Sequence, residues 1–154
     1  MLVFLDIDGV MIPAKGWKIP DFLEDGFPAF SSKACFVLQH LITADTTIIL
    51  TTSHKSNYTI DEWKDIFMKR GVKIGKINTL NDNLSHTSRK DEILYWFNTN
   101  KINEDFIIID DDKTLNSLPP FLKKNLLLTS PFIGLTEAHL KDIEVILQKE
   151  VQVA

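Results

Sequence analysis

With 154 residues, 44% of them hydrophobic and 25% charged, the chain has the size and balance of one globular domain with a real core. A net charge of −4 disfavours a general nucleic-acid binder, and a single cysteine, Cys35, excludes an intramolecular disulfide. The first apolar run lacks a basic start and is short for a signal peptide, and no apolar run approaches the ~18 residues of a membrane span, so the cytoplasm is the expected compartment.

Apolar periodicity divides the chain into alternating strands and helices. Residues 2–5 are a continuous apolar run ending at Asp6. Residues 11–30, with Pro13, Gly16, Pro20, Gly26 and Pro28, read as a loop or flap, and Trp17, Phe22, Phe27 and Phe30 as a small core beneath it. Ala34, Leu38, Leu41 and Ile42 follow helical spacing after Ser31-Ser32, and Cys35 in that stretch reads as a small buried hydrophobe. Thr47 to Leu50 is a second apolar run, ending in Thr51-Thr52-Ser53. Thr59 and Glu62 form a capping box before Ile60, Trp63 and Phe67. Val72 to Ile77 is a weaker strand candidate, followed by a polar loop from Asn78 to His86. Ser88 and Asp91 suit a cap before Ile93, Leu94 and Phe97. Phe106 to Ile109 is a third strong apolar run, ending in Asp110-Asp111-Asp112. Leu126 to Thr129 is a further weak strand, and Leu140, Ile143 and Leu147 form the last helical stripe.

Continuous rather than alternating apolar strands suit a sheet covered on both faces, which means mainly parallel strands in a three-layer α/β fold. In such a sheet ligands bind beyond the carboxyl ends of the strands. The three strongest strands end in Asp6-Ile7-Asp8-Gly9, Thr51-Thr52-Ser53 and Asp110-Asp111-Asp112, so folding would gather these groups at one edge. Several carboxylates in one small site repel one another, and a hard cation such as Mg²⁺ resolves this. Asp112 reads as a turn residue before Lys113, His54 as a surface or capping residue, and His40, His86 and His139 show no metal-ligand spacing.

Asp6-x-Asp8-Gly9 after an apolar strand resembles motif I of the haloacid dehalogenase (HAD) superfamily. Thr51 or Thr52 resembles motif II, Arg89 or Lys90 opening a helix resembles motif III, and Asp110-Asp111 resembles the paired-aspartate form of motif IV. Within the superfamily the chain is most similar to the HAD domains of Swiss Army knife RNA repair proteins and their stand-alone relatives. The similarity rests on Phe4 to Val10, on Arg89-Lys90-Asp91-Glu92-Ile93 with Trp96-Phe97, and on Leu126 to Thr129 with Gly134-Leu135-Thr136. Where many relatives have Trp-Arg after motif II, His54-Lys55 stands here.

The resemblance implies a Rossmann-like HAD fold and a Mg²⁺-dependent phosphomonoester hydrolase. Asp6 would be the nucleophile, Asp8 the general acid and base, Thr51 a phosphoryl ligand and Arg89 a charge stabiliser. Gly9, Thr52 and Lys90 would contact substrate. Asp6, the Asp8 carbonyl and Asp111 would hold Mg²⁺ with Asp110 assisting; Asp111 is the preferred direct ligand. A phosphotransferase and a non-catalytic phosphate-binding protein on the same fold are the alternatives. A receiver-like signalling domain is disfavoured by Asp8 and by the early position of Asp6.

Neither the interval from Asp8 to Thr51 nor that from Ile77 to Arg89 has room for a full cap domain, so the expected site is open, covered at most by residues 11–30. An open site suits a bulky phosphorylated substrate, whether a nucleic-acid end or a phosphoprotein. Lys64, Lys69, Arg70, Lys73 and Lys76 read as a solvated face, with a local basic patch as the alternative.

Overall fold

The structure, a computed structural model, describes residues 1–14, 20–80 and 88–151. Its frame is a five-stranded, all-parallel sheet of β1 (Leu2–Leu5), β2 (Thr47–Leu50), β3 (Lys76–Thr79), β4 (Phe106–Asp110) and β5 (Leu126–Leu128). The strands lie in the order β3-β2-β1-β4-β5. The helices are α1 (Ser32–Leu41), α2 (Ile60–Lys69), α3 (Arg89–Thr99), a single turn α4 (Pro120–Lys123) and α5 (Leu140–Leu147).

β1 explains the layering. All four of its residues are buried because it is central and covered on both faces. Val3 and Leu5 point into one core with Ile48, Leu50, Ile107 and Ile109, closed by α1, α2 and α5. Leu2 and Phe4 point into the other, with Ile49 and Ile108, closed by α3 and the segment carrying Leu115, Leu118 and Leu122. Phe4 is the anchor of that second core, with Trp96 and Phe97 ring centroids 4.9 and 5.1 Å away. Truncating it to alanine would cost about 3–5 kcal/mol.

The helices start where their caps dictate. Ser31 and Ser88 each accept the N–H three residues on, at 3.2 Å in both cases, and Thr59 and Glu62 complete a reciprocal capping box.

β3 differs from the reading of the sequence. It runs Lys76–Thr79, not from Val72, and so takes in Asn78 and Thr79. Val72 and Ile74 are buried, but they belong to the turn that follows α2 at Gly71; the ladder begins only where Lys76 comes level with Thr47. As an edge strand β3 leaves Lys76 and Asn78 exposed, which dilutes its apolar signal. Phe27 is buried as expected, whereas Phe22 is 59% exposed, and Trp17 lies outside the described residues, as does His86. Cys35 is half-buried. Arg70 is no part of a basic face: its guanidinium bonds Asp25 and the Pro28, Phe27 and Ile66 carbonyls. Among the described residues no helix is long and apolar enough to cross a membrane.

Candidate active site

The chain moves outward from β1 to β2 and β3, then returns to the other side of β1 for β4. Connections therefore diverge between β1 and β4, and that divergence opens a crevice at the strands' carboxyl ends. Asp6 stands directly after β1 and Asp110 ends β4, one on each side of the crevice. The ladder continues into the site, as the Asp6 N–H donates to the Ile109 carbonyl at 3.0 Å and the Thr51 N–H to the Leu5 carbonyl at 3.0 Å.

Asp110 is fully buried and heavily bonded. Its Oδ1 accepts the N–H groups of Asp111 (2.8 Å) and Asp112 (3.1 Å). Its Oδ2 accepts Arg89 Nη1 at 2.6 Å and the Thr51 hydroxyl at 3.5 Å. The same Arg89 nitrogen lies 3.4 Å from both Asp6 Oδ1 and Thr51 Oγ1. One guanidinium thus joins residues from the ends of β1, β2 and β4. Arg89 reaches them because it opens α3, directly after the Ser88 cap. Lys90 is the next residue of the helix and is not in this cluster.

Asp6 is buried among these charges. Burial first, then the Asp110 carboxylate, push its carboxyl up to about 9, with Arg89 opposing. Burial likewise raises Asp111. Asp6, Asp110 and Asp111 can each offer an oxygen within 4.8 Å of the others. The donor set fits a hard divalent cation. Burial holds one carboxyl in its neutral form among its own kind, and added positive charge would relieve that. Asp110 already spends both oxygens on protein donors, so Asp6 and Asp111 are the ones with capacity to spare.

Gly9 is demanded by this packing. Its φ is +79°, and a Cβ there would lie 2.0 Å from Asp111 Oδ2. The turn it forms is braced by the distant end of the chain: Thr129 Oγ1 donates to the Gly9 carbonyl at 2.7 Å, and the Leu135 N–H to the Val10 carbonyl at 2.9 Å. Gly134 must also be small, since a Cβ on it would meet the Val10 carbonyl at 2.6 Å.

The other expected site residues sit apart. Thr52 is buried, but its hydroxyl accepts the His54 N–H (3.2 Å) just ahead of the helical turn Lys55–Asn57. The Asp8 carboxylate is exposed and meets His54 Nε2 at 2.8 Å rather than the carboxylate cluster. Asp112 accepts the Thr114 N–H and hydroxyl, a turn cap. Among the remaining histidines, the ring Nδ1 atoms of His40 and His139 bond local backbone.

Two residues next to the cluster escaped the sequence reading. Lys55 is buried and pairs with Glu92 at 2.8 Å. Glu92 in turn lies 4.0 Å from Arg89 Nε, a buried nitrogen with no hydrogen-bond partner among the described residues. The spacing of Arg89 and Glu92 on the first turn of α3 was the available signal; the Lys55 contact had none.

A family model described as the HAD domain in Swiss Army Knife RNA repair proteins matches residues 2–140. No curated protein and no solved structure matches the chain. With its β1-centred parallel sheet and a family match over nearly its whole length, the chain belongs to that HAD domain family.

Proposed function

We propose that the chain is a Mg²⁺-dependent phosphomonoester hydrolase that works through an aspartyl-phosphate on Asp6. The observation that carries this reading is the meeting of Asp6, Thr51, Arg89, Asp110 and Asp111 at the β1/β4 crevice.

Each group has a task that its surroundings suit. A carboxylate oxygen of Asp6 attacks phosphorus as the bond to the leaving oxygen breaks, dividing one hard displacement into two. Asp8 gives its proton to the leaving oxygen. In the second step Asp8 takes a proton from water, the water oxygen attacks phosphorus, and the bond to Asp6 breaks, releasing inorganic phosphate. Arg89 and the Thr51 hydroxyl donate to phosphoryl oxygens as charge develops. Asp6, Asp111 and the Asp8 carbonyl would hold Mg²⁺, with Asp110 behind them. The cation, when bound, keeps Asp6 ionised and draws charge from the phosphoryl group. Gly9 lets backbone pass close to the site.

The substrate is a bulky phosphate monoester in this reading. Short intervals between the motifs favour an uncapped site, and the family description, which names RNA repair proteins, makes a phosphorylated RNA end the first class to test.

The test is hydrolysis of p-nitrophenyl phosphate with and without Mg²⁺, by wild type and Asp6→Asn. Mg²⁺-dependent phosphate release that vanishes in the variant is the expected result. Full activity in pure Asp6→Asn protein would remove Asp6 as nucleophile. Transfer of phosphate to an added alcohol in place of water would reassign the chain as a phosphotransferase.

A further inference from the structure

His54 has no part in the chemistry above, yet its Nε2 lies 2.8 Å from Asp8 Oδ2. The ring is held in place from behind. Its own backbone N–H is tied to the Thr52 hydroxyl at the end of β2. Phe27 meets it edge to face, with centroids 5.7 Å apart and planes at 86°. Phe27 is itself buried, and its carbonyl accepts Arg70 Nη2 at 2.7 Å. Arg70, at the end of α2, also grips Asp25 through two hydrogen bonds of 2.6 and 3.0 Å. Helix α2 therefore anchors the segment around Phe27, and Phe27 backs the imidazole that faces Asp8.

We propose that His54 is a positioning residue for Asp8: its Nε2–H, donated to Oδ2, fixes the carboxyl so that Oδ1 carries and returns the catalytic proton. The proposal rests on the reading of Asp8 as general acid and base. An exposed acid–imidazole contact has little energetic weight of its own. The braced ring changes its meaning, because a solvent-exposed carboxyl otherwise samples several rotamers and only some face a leaving group. Protons balance without titrating the histidine. Asp8 Oδ1–H protonates the leaving oxygen, the resulting carboxylate takes a proton from water, and Nε2–H stays on His54 throughout.

The deciding measurement is kcat/KM for Mg²⁺-dependent hydrolysis of two esters, p-nitrophenyl phosphate and glycerol 2-phosphate. This ratio reads the first displacement, where an alkoxide needs a proton far more than a nitrophenolate does. His54→Ala should lower kcat/KM for the alkyl ester roughly tenfold or more, a fraction of what a general acid contributes, and leave the aryl ester within about twofold. His54→Gln, whose amide nitrogen reaches the place of Nε2, should recover most of the loss. An equal loss on both esters marks a merely structural role and overturns the proposal, as does no loss on either. A readout independent of turnover is the ring ¹⁵N resonance of His54 Nε2, which should shift in Asp8→Ala; an unmoved resonance overturns the contact itself. Wild-type protein that hydrolyses neither ester nor a phosphorylated RNA end overturns the phosphatase reading and this inference with it, whereas active wild type with an indifferent His54→Ala overturns this inference alone.

Discussion

Arg89 Nη1 sits 2.6 Å from Asp110 Oδ2, and Asp110 is fully buried. The pair is as much a part of the protein's stability as of its chemistry. Removing one partner leaves the other charge buried and uncompensated, at a cost of about 3–5 kcal/mol. Arg89→Ala should therefore lower the unfolding midpoint as well as turnover. Adding Asp110→Asn should restore much of the stability and none of the activity. Urea titration of the two single variants and the double variant checks this; additive losses would show that the pair is not coupled.

Asp110 and Asp111 should separate in their response to Mg²⁺. Asp111→Asn removes a carboxylate with capacity to spare, so Mg²⁺ binding weakens while the fold remains intact. Asp110→Asn disturbs Arg89 and two backbone N–H groups, so the fold itself weakens. Isothermal titration with Mg²⁺, paired with thermal melts, distinguishes the two; an unchanged titration for Asp111→Asn moves the ligand elsewhere.

Mg²⁺ should also stabilise the chain, and more so as pH rises. Asp6 is held at about 9 in the fold against an ordinary value of 3.8. Without a cation the folded state holds a proton that the unfolded chain has lost, so stability falls as pH rises between these values. A cation that pulls the Asp6 titration down cancels that loss. The rise in Tm on adding Mg²⁺ should be larger at pH 8 than at pH 5, with about 2.7 kcal/mol expected at a hundred times Kd. A pH-independent rise would contradict the burial argument.

The Asp25–Arg70 clamp has the opposite sign. Hydrogen bonds from Arg70 hold the Asp25 carboxyl at about 2, below its ordinary 3.8. Its stabilisation is complete above about pH 4 and is lost as pH falls through the folded value near 2. Arg70→Ala should cost on the order of 3 kcal/mol at pH 6, because the pair is well buried. The gap between variant and wild type should narrow toward pH 2, as urea midpoints at both pH values would show. An equal gap at both would place the loss in packing against Phe27 and Phe30 rather than in charge.

Strands β1, β2 and β4 were legible because burial on both faces leaves nothing but apolar residues between their polar ends. β3 was placed too early because Val72 and Ile74 are apolar for a different reason, packing beneath a turn. The short helix at Pro120–Lys123 was missed, since one turn after Pro119 has no periodicity to read. In the site, the convergence of Asp6, Thr51, Arg89 and Asp110 was legible from strand ends and one helix start. Arg89, preferred over Lys90 in the sequence, is the one that the first turn of α3 brings to the cluster. The contacts of His54 with Asp8 and of Lys55 with Glu92 join segments distant in sequence, so no local pattern announces them.

The brace from Thr129 and Leu135 to the Gly9 turn has a consequence for biosynthesis. Gly9 leaves the ribosome 120 residues ahead of Thr129, whose hydroxyl braces its turn. A nascent chain released from its tunnel only as far as Asp111 would carry the whole acidic cluster and still lack the hydroxyl that ties Gly9 in place. The Gly9 turn is then set only once β5 and the loop at Leu135 have docked.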